Sequence, residues 1–185
     1  MVLLRTVGLA LMLAAAGAAQ RQPFDVQALL KIQRIGEPQL SPDGKTVAFT
    51  VQSVDLEQNT KPKQIYVVPT SGGPPQKVTS EGTDNERPRW SPDSKRIAFI
   101  SNRGGSSQVW VMNSDGSLPR QVTNLSTEAG GVQWSPDGNK FVFTSDVYPD
   151  CPDDNCAKSR LEAEKSNKVK ARSYTTLLFR HWTEW

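Results

Sequence analysis

Runs of three adjacent apolar residues recur along this chain, each behind a short polar turn. Val47-Ala48-Phe49 follows Ser41-Pro42-Asp43-Gly44, Ile97-Ala98-Phe99 follows Ser91-Pro92-Asp93-Ser94, and Phe141-Val142-Phe143 follows Ser135-Pro136-Asp137-Gly138. A strand with one wet face alternates apolar and polar residues, whereas one apolar at consecutive positions is buried on both faces. Proline presets the backbone at the second turn position, and Asp and Gly suit the later ones. Each copy therefore predicts two strands joined by a turn, the second strand enclosed between neighbouring layers. A further pair of strands is predicted where Gln64-Ile65-Tyr66-Val67 precedes Val78-Thr79, and Gln108-Val109-Trp110-Val111 precedes Val122-Thr123. Ser71-Gly72-Gly73 and Ser114-Asp115-Gly116 close these hairpins.

Spacing turns these strands into an architecture. Ser41, Ser91 and Ser135 head the copies, so successive copies start 50 and 44 residues apart. The longer interval carries its extra residues in the polar stretch Asp55 to Lys63, where a hairpin loop can grow without disturbing strands. A repeat of about 44 residues holding four strands is the signature of a β-propeller blade. The expected fold is all-β, an incomplete β-propeller of about three four-stranded blades with a short helical insertion. Trp90 and Trp134 share one repeat position, filled by Leu40 in the first copy, and Tyr66 and Trp110 share another. Recurrence at the repeat spacing reads as core packing and not as a cofactor platform.

The flanks follow other rules. Residues 1–19 carry Arg5 as their only charge, an apolar run from Val7 to Ala16, and the small residues Gly17, Ala18 and Ala19. That pattern predicts a secretory signal peptide cleaved near Ala18 or Ala19, with no stable membrane anchor and an exported, periplasmic or secreted, product. Residues 20–37 are expected to form a lead-in and 38–185 the partial propeller, interrupted by an insertion at about 150–172. Within the insertion, Ala157 to Arg172 lacks Gly and Pro and predicts a helix. Cys151 and Cys156 are the only cysteines, and in an exported chain a close isolated pair reads as a disulfide. A metal site or free thiols are the alternatives. Zinc would need two more ligands, and Asp150, Asp153 and Asp154 match no EF-hand loop. Pro152 supplies the turn a disulfide requires, because five residues along a straight helix separate the Cα atoms too far.

Charge and chemistry narrow the function mostly by exclusion. The 22 basic and 19 acidic residues give a formal charge of +3, spread along the chain. Nucleic-acid binding would need a clustered basic face. No Gly-x-Ser-x-Gly elbow is present, and the one histidine, His181, lies between Arg180 and Trp182 in a predicted strand with no nucleophile nearby. No catalytic, cofactor-binding or metal-binding residue is therefore expected in this chain, and His181 reads as structural. Propellers close with four to eight blades, so about three leave blade faces open for self-association or for a further part of the molecule.

The Trp-Ser-Pro-Asp turn of the second and third copies, with Ile97-Ala98-Phe99 and Ile65-Tyr66-Val67, resembles the WD-like repeat of TolB-type propellers. It resembles equally the propeller domain of the prolyl oligopeptidase family, which includes dipeptidyl aminopeptidases and acylaminoacyl peptidases. The leader, the Cys151–Cys156 segment and Leu178 to Trp185 lean toward the secreted peptidases. That resemblance implies the N-terminal propeller fragment of a secreted serine peptidase, gating short-peptide access to an α/β-hydrolase domain missing here. The other reading is a non-enzymatic, TolB-like periplasmic propeller for protein–protein interaction.

Overall fold

The computed structural model describes residues 24–169, in two units divided between Ile32 and Gln33. The first unit holds helix α1, Val26–Lys31, whose N-cap Asp25 accepts a hydrogen bond from the Ala28 N–H at 2.8 Å. The expected signal peptide (1–19) and the segment from Tyr174 to Trp185, with His181, lie outside the described residues.

The second unit is built from antiparallel sheets. Strands β1 (Arg34–Leu40), β2 (Thr46–Gln52), β3 (Lys63–Pro69) and β4 (Gln76–Lys77) form one four-stranded sheet in sequence order. Strands β5 (Asn85–Trp90), β6 (Arg96–Ser101), β7 (Gln108–Asn113) and β8 (Arg120–Gln121) repeat that order in a second sheet. The third copy supplies a pair, β9 (Val132–Trp134) and β10 (Phe141–Phe143), and helix α2 (Asp154–Ser166) follows. Among the described residues this is an open propeller array of two four-stranded blades and a two-stranded part of a third. The first blade begins at Arg34, inside the segment read from sequence as lead-in. Among the described residues the third copy has two strands, and its sequence runs into the α2 insertion where the other copies place their third strand.

Registers repeat from blade to blade. Phe49 lies opposite Tyr66 across β2 and β3, and Phe99 opposite Trp110 across β6 and β7. Strand β6 is buried on both faces. Ile97 and Phe99 join a core with Ala48, Ile65 and Val67 of the first blade, while Ala98 and Ile100 join one with Val109, Ala129 and Val132. Strand β10 departs from the expected double burial: Val142 is 67% and Phe143 37% exposed. Among the described residues no further sheet covers it, and the apolar triplet alone cannot supply one.

The turn between the first two strands is the same device three times. The Ser41, Ser91 and Ser135 hydroxyls donate to Asp43, Asp93 and Asp137, and accept the N–H groups of Thr46, Arg96 and Lys140 at 2.9–3.0 Å. Gly44 and Gly138 close their turns at φ of 72° and 69°, and Ser94 adopts the same left-handed geometry at 60°. Its hydroxyl accepts the Asp43 N–H at 3.1 Å and so ties the second turn to the first.

The serine hydroxyls, and next the backbone N–H groups beyond, hold the Asp43, Asp93 and Asp137 carboxyls below the ordinary carboxylate range. A folded pKa below its unfolded value near 4 contributes stability that is complete above that value and lost as pH falls through the folded pKa. Acidification below about pH 4 is therefore expected to lower the melting temperature. The triple variant D43N/D93N/D137N should show a shallower acid limb, and superimposable limbs in thermal melts would refute the assignment.

The shared tryptophan position has a role beyond packing. The Trp90 indole donates to the Gln39 carbonyl of the first blade, and the Trp134 indole to the Arg89 carbonyl of the second, both at 3.0 Å. Each indole thus ties its blade to the one before. Trp134 also packs on Phe141 and lies beneath the Arg96 guanidinium. Leu40, at this position in the first copy, is 59% exposed. Trp134→Phe removes the donor together with part of the packed indole, so it should cost about 1–3 kcal/mol. The Trp134 acceptor is the carbonyl of Arg89, the residue before Trp90, so the Trp90→Phe and Trp134→Phe losses should couple and not simply add in urea denaturation.

Candidate functional site

The second blade meets the first through β5, which lies against β1, β2 and β3, and β9 in turn lies against β5 and β6. There the ladders are irregular: β1 shifts register between Gly36 and Gln39, and β5 between Glu86 and Arg89. Glu37 and Arg87 occupy one repeat position within these shifts, each before a proline. Both are held at left-handed φ, 51° and 57°. A non-glycine residue in that region costs about 1–3 kcal/mol. The bulges place charged side chains side by side, and the Arg87 Nε lies 3.9 Å from Glu37 and 3.8 Å from Glu86.

Lys63 completes the cluster from β3. Its ammonium pairs with Glu86 at 2.5 Å and Asp84 at 3.6 Å, and the hydrogen bond to Glu86 raises its pKa above the ordinary lysine value. Two cavities open here, with Glu86 lining both. One, of about 200 Å³, is bounded by Arg34, Gly36, Glu37, Thr50, Lys63 and Glu86. The other, of about 260 Å³, is bounded by Glu86, Arg87, Ser107, Glu128, Thr144 and Asp146, among others. This chemistry favours polar recognition: paired charges, hydroxyls and backbone groups around small wet hollows. Among the described residues, no group of three or more His, Cys, Asp or Glu side chains is placed to hold a metal.

Beside this region a buried polar network replaces what the sequence pattern reads as strand filler. Gln108, 1% exposed, accepts from the Thr123 hydroxyl at 2.7 Å and donates to the Leu125 carbonyl at 2.8 Å. Gln64 and Thr79 make the same bond at 2.7 Å in the first blade. The Arg103 guanidinium lies over Trp110 and Phe99 and donates to Asn85 and Ser101. Burial lowers its pKa below the usual guanidinium value. Polar residues recurring at equivalent positions, Gln64 with Gln108 and Thr79 with Thr123, were the signal available for this network. Glu37 and Arg87 offered a weaker one, since charged residues at a repeat position read as surface.

The two cysteines lie away from this cluster. Cys151 and Cys156 are joined by a disulfide, Cα atoms 5.4 Å apart, at the start of α2. That helix begins at Asp154 because the Asp153 carboxylate caps it, accepting the Cys156 N–H at 2.9 Å. Asp154 receives both the N–H and the hydroxyl of Ser126, at 2.8 and 2.9 Å, which fastens the helix to the connector after β8. Arg160 lies over the Tyr148 ring and pairs with Asp150, while the Tyr148 hydroxyl donates to Glu164. The insertion is thus stapled covalently at one end and held along its length by an ion pair, a cation–π contact and a hydrogen bond.

Repeated four-stranded sheets in sequence order, packed on a shared apolar core, define a β-propeller. The PD40 family model, described as the TolB beta propeller domain, matches residues 28–168, and the chain belongs to that family. It is 34% identical to dipeptidyl-peptidase 5 of Porphyromonas gingivalis, over 97% of this chain and 25% of that protein. Dipeptidyl-peptidase 5 of Porphyromonas endodontalis is 33% identical over 99% of this chain and 27% of its own length. The chain therefore spans about a quarter of the curated relatives it matches. In structure it resembles the acylaminoacyl peptidase of Pyrococcus horikoshii, with a TM-score of 0.55 at 21% identity over 68% of this chain and 19% of that one. That likeness is one of fold.

Proposed function

We propose that this chain is the N-terminal propeller portion of an exported serine peptidase of the prolyl oligopeptidase type, in which the blades screen an α/β-hydrolase domain and admit short peptides. The supporting observation is the 34% identity to dipeptidyl-peptidase 5, carried by 97% of this chain and only a quarter of the relative. In this reading the strained, charged bulges at Glu37 and Arg87 form part of the passage a peptide meets. The leader at residues 1–19 directs the protein across a membrane, and the mature chain starts near Gln20. The remaining blades and the hydrolase domain are its first partners.

The test compares this 185-residue chain with the full product of the reading frame that carries it. A fluorophosphonate probe should leave the chain unlabelled and label the longer product, which should release dipeptides from short peptides and spare folded proteins. Labelling of the chain alone would overturn the proposal, as would a frame that adds no hydrolase domain. The TolB family match favours a second reading, a non-enzymatic propeller that binds protein partners in the periplasm. An unlabelled full-length product recovered from periplasm in a stable heteromeric complex would select it.

A further inference from the structure

The cavity of about 200 Å³ between the first two blades contains an anomaly that the blade framework does not use. Thr50, on its wall, is 6% exposed, and its hydroxyl has no hydrogen-bond partner. Buried hydroxyls are almost always paired, and an unpaired one is costly to keep. The repeat provides an internal comparison. The second copy places apolar Ile100 at this position, and the third places Thr144, whose hydroxyl accepts the Gly131 N–H at 3.0 Å. A hydroxyl without a partner is thus not a requirement of the fold.

Room and charge accompany it. Thr50 stands opposite Gly36 in the β1–β2 register, where the second copy has Glu86. A Cβ added at Gly36 would meet no atom within 4 Å, so the missing side chain leaves real space. Arg34 stands opposite Gln52, two residues along each strand, on the same face. The acids of the wall are engaged: Glu86 holds Lys63 at 2.5 Å, and Glu37 faces Arg87 at 3.9 Å. Among the described residues, Arg34 is the cation of this wall without an ion pair. What remains uncommitted is a guanidinium, which only donates, and a hydroxyl able to donate.

We propose that this cavity is a binding site for a small carboxylate. Arg34 pairs with the carboxylate, Thr50 donates to one of its oxygens, and the space over Gly36 takes the adjoining group. Hydrogen bonds between charged partners discriminate strongly against a neutral amide of the same shape. The inference is independent of the peptidase reading, since it concerns this chain alone and needs no hydrolase domain.

The probes are N-acetylalanine and N-acetylalaninamide, titrated into the purified chain and followed by backbone NMR shifts. The acid should bind at least about tenfold more tightly than the amide, with shifts centred on β1 and β2. Arg34→Gln should weaken acid binding by about tenfold or more. Thr50→Val should weaken it about fivefold while raising the melting temperature, because the unpaired hydroxyl is gone. Gly36→Val removes no donor but fills the space, so it should abolish binding with the sheet intact by circular dichroism. Equal binding of acid and amide would overturn the proposal, as would no acid binding at tens of millimolar. A Thr50→Val variant that is stabilised but binds as the wild type does would also overturn it, assigning Thr50 to packing alone.

Discussion

Phe99→Ala is expected to cost about 3–5 kcal/mol, the largest loss among single substitutions considered for this chain. Phe99 is fully buried in β6, packed into the core shared with Ile65, Val67 and Met112 and lying under the Arg103 guanidinium. Removing the ring takes away its transfer free energy and leaves a cavity that two facing sheets cannot close. Small domains have about 5–15 kcal/mol in total, so the variant should be close to unfolding at 37 °C. The repeat supplies its own controls. Phe49 is 9% exposed and Phe143 37% exposed at the same repeat position. Phe49→Ala should cost somewhat less than Phe99→Ala, and Phe143→Ala about 1 kcal/mol or less. Urea denaturation followed by tryptophan fluorescence ranks the three. A Phe143→Ala variant as damaged as Phe99→Ala would show that the third copy is as enclosed as the second.

Gln108→Ala should follow, at about 2–4 kcal/mol. Gln108 is a hub: it receives the Thr123 hydroxyl and the Leu125 N–H, at 2.7 and 3.1 Å, and donates to the Leu125 carbonyl. Alanine leaves the buried Thr123 hydroxyl and the half-buried Leu125 groups without this partner, and the penalty comes from the orphaned groups more than from the lost bonds. Gln64 makes the corresponding bonds in a half-buried setting, where water can replace them. Gln64→Ala should therefore cost clearly less. Equal losses in the two blades, measured by the same denaturation, would mean that exposure does not govern the penalty.

The contrast between these two residues explains how far the sequence could be read. Phe99 was legible because burial on both faces leaves a trace in the order of residues: consecutive apolar positions, recurring at blade spacing. The serine–proline–aspartate turns were legible for a similar reason, since their chemistry is local and complete within six residues. Gln108 left a fainter trace, its recurrence with Gln64 at blade spacing. Glutamine is mostly a surface residue, and its burial here depends on Thr123, fifteen positions away, which periodicity does not reveal. The tryptophans were half legible. Their packing followed from recurrence, but the bonds of Trp90 and Trp134 run to backbone carbonyls about a blade away, and any residue can offer a carbonyl. Glu37 and Arg87 were the least legible, because a left-handed bulge in a strand depends on neighbouring blades and carries no residue signature when glycine is absent.

The indole ties have a direction, and that direction has a consequence for how the protein is made. Trp90 reaches back to Gln39 and Trp134 back to Arg89, so in each case the acceptor precedes the donor in the chain. A nascent chain leaves the ribosome from its N-terminus, and early segments fold before later ones exist. Among the described residues, the second and third blades thus find their acceptors already waiting as they emerge. Growth can proceed one joint at a time, each new blade sealing the apolar face of the last and shortening the interval in which that face is open to a chaperone or to another nascent chain.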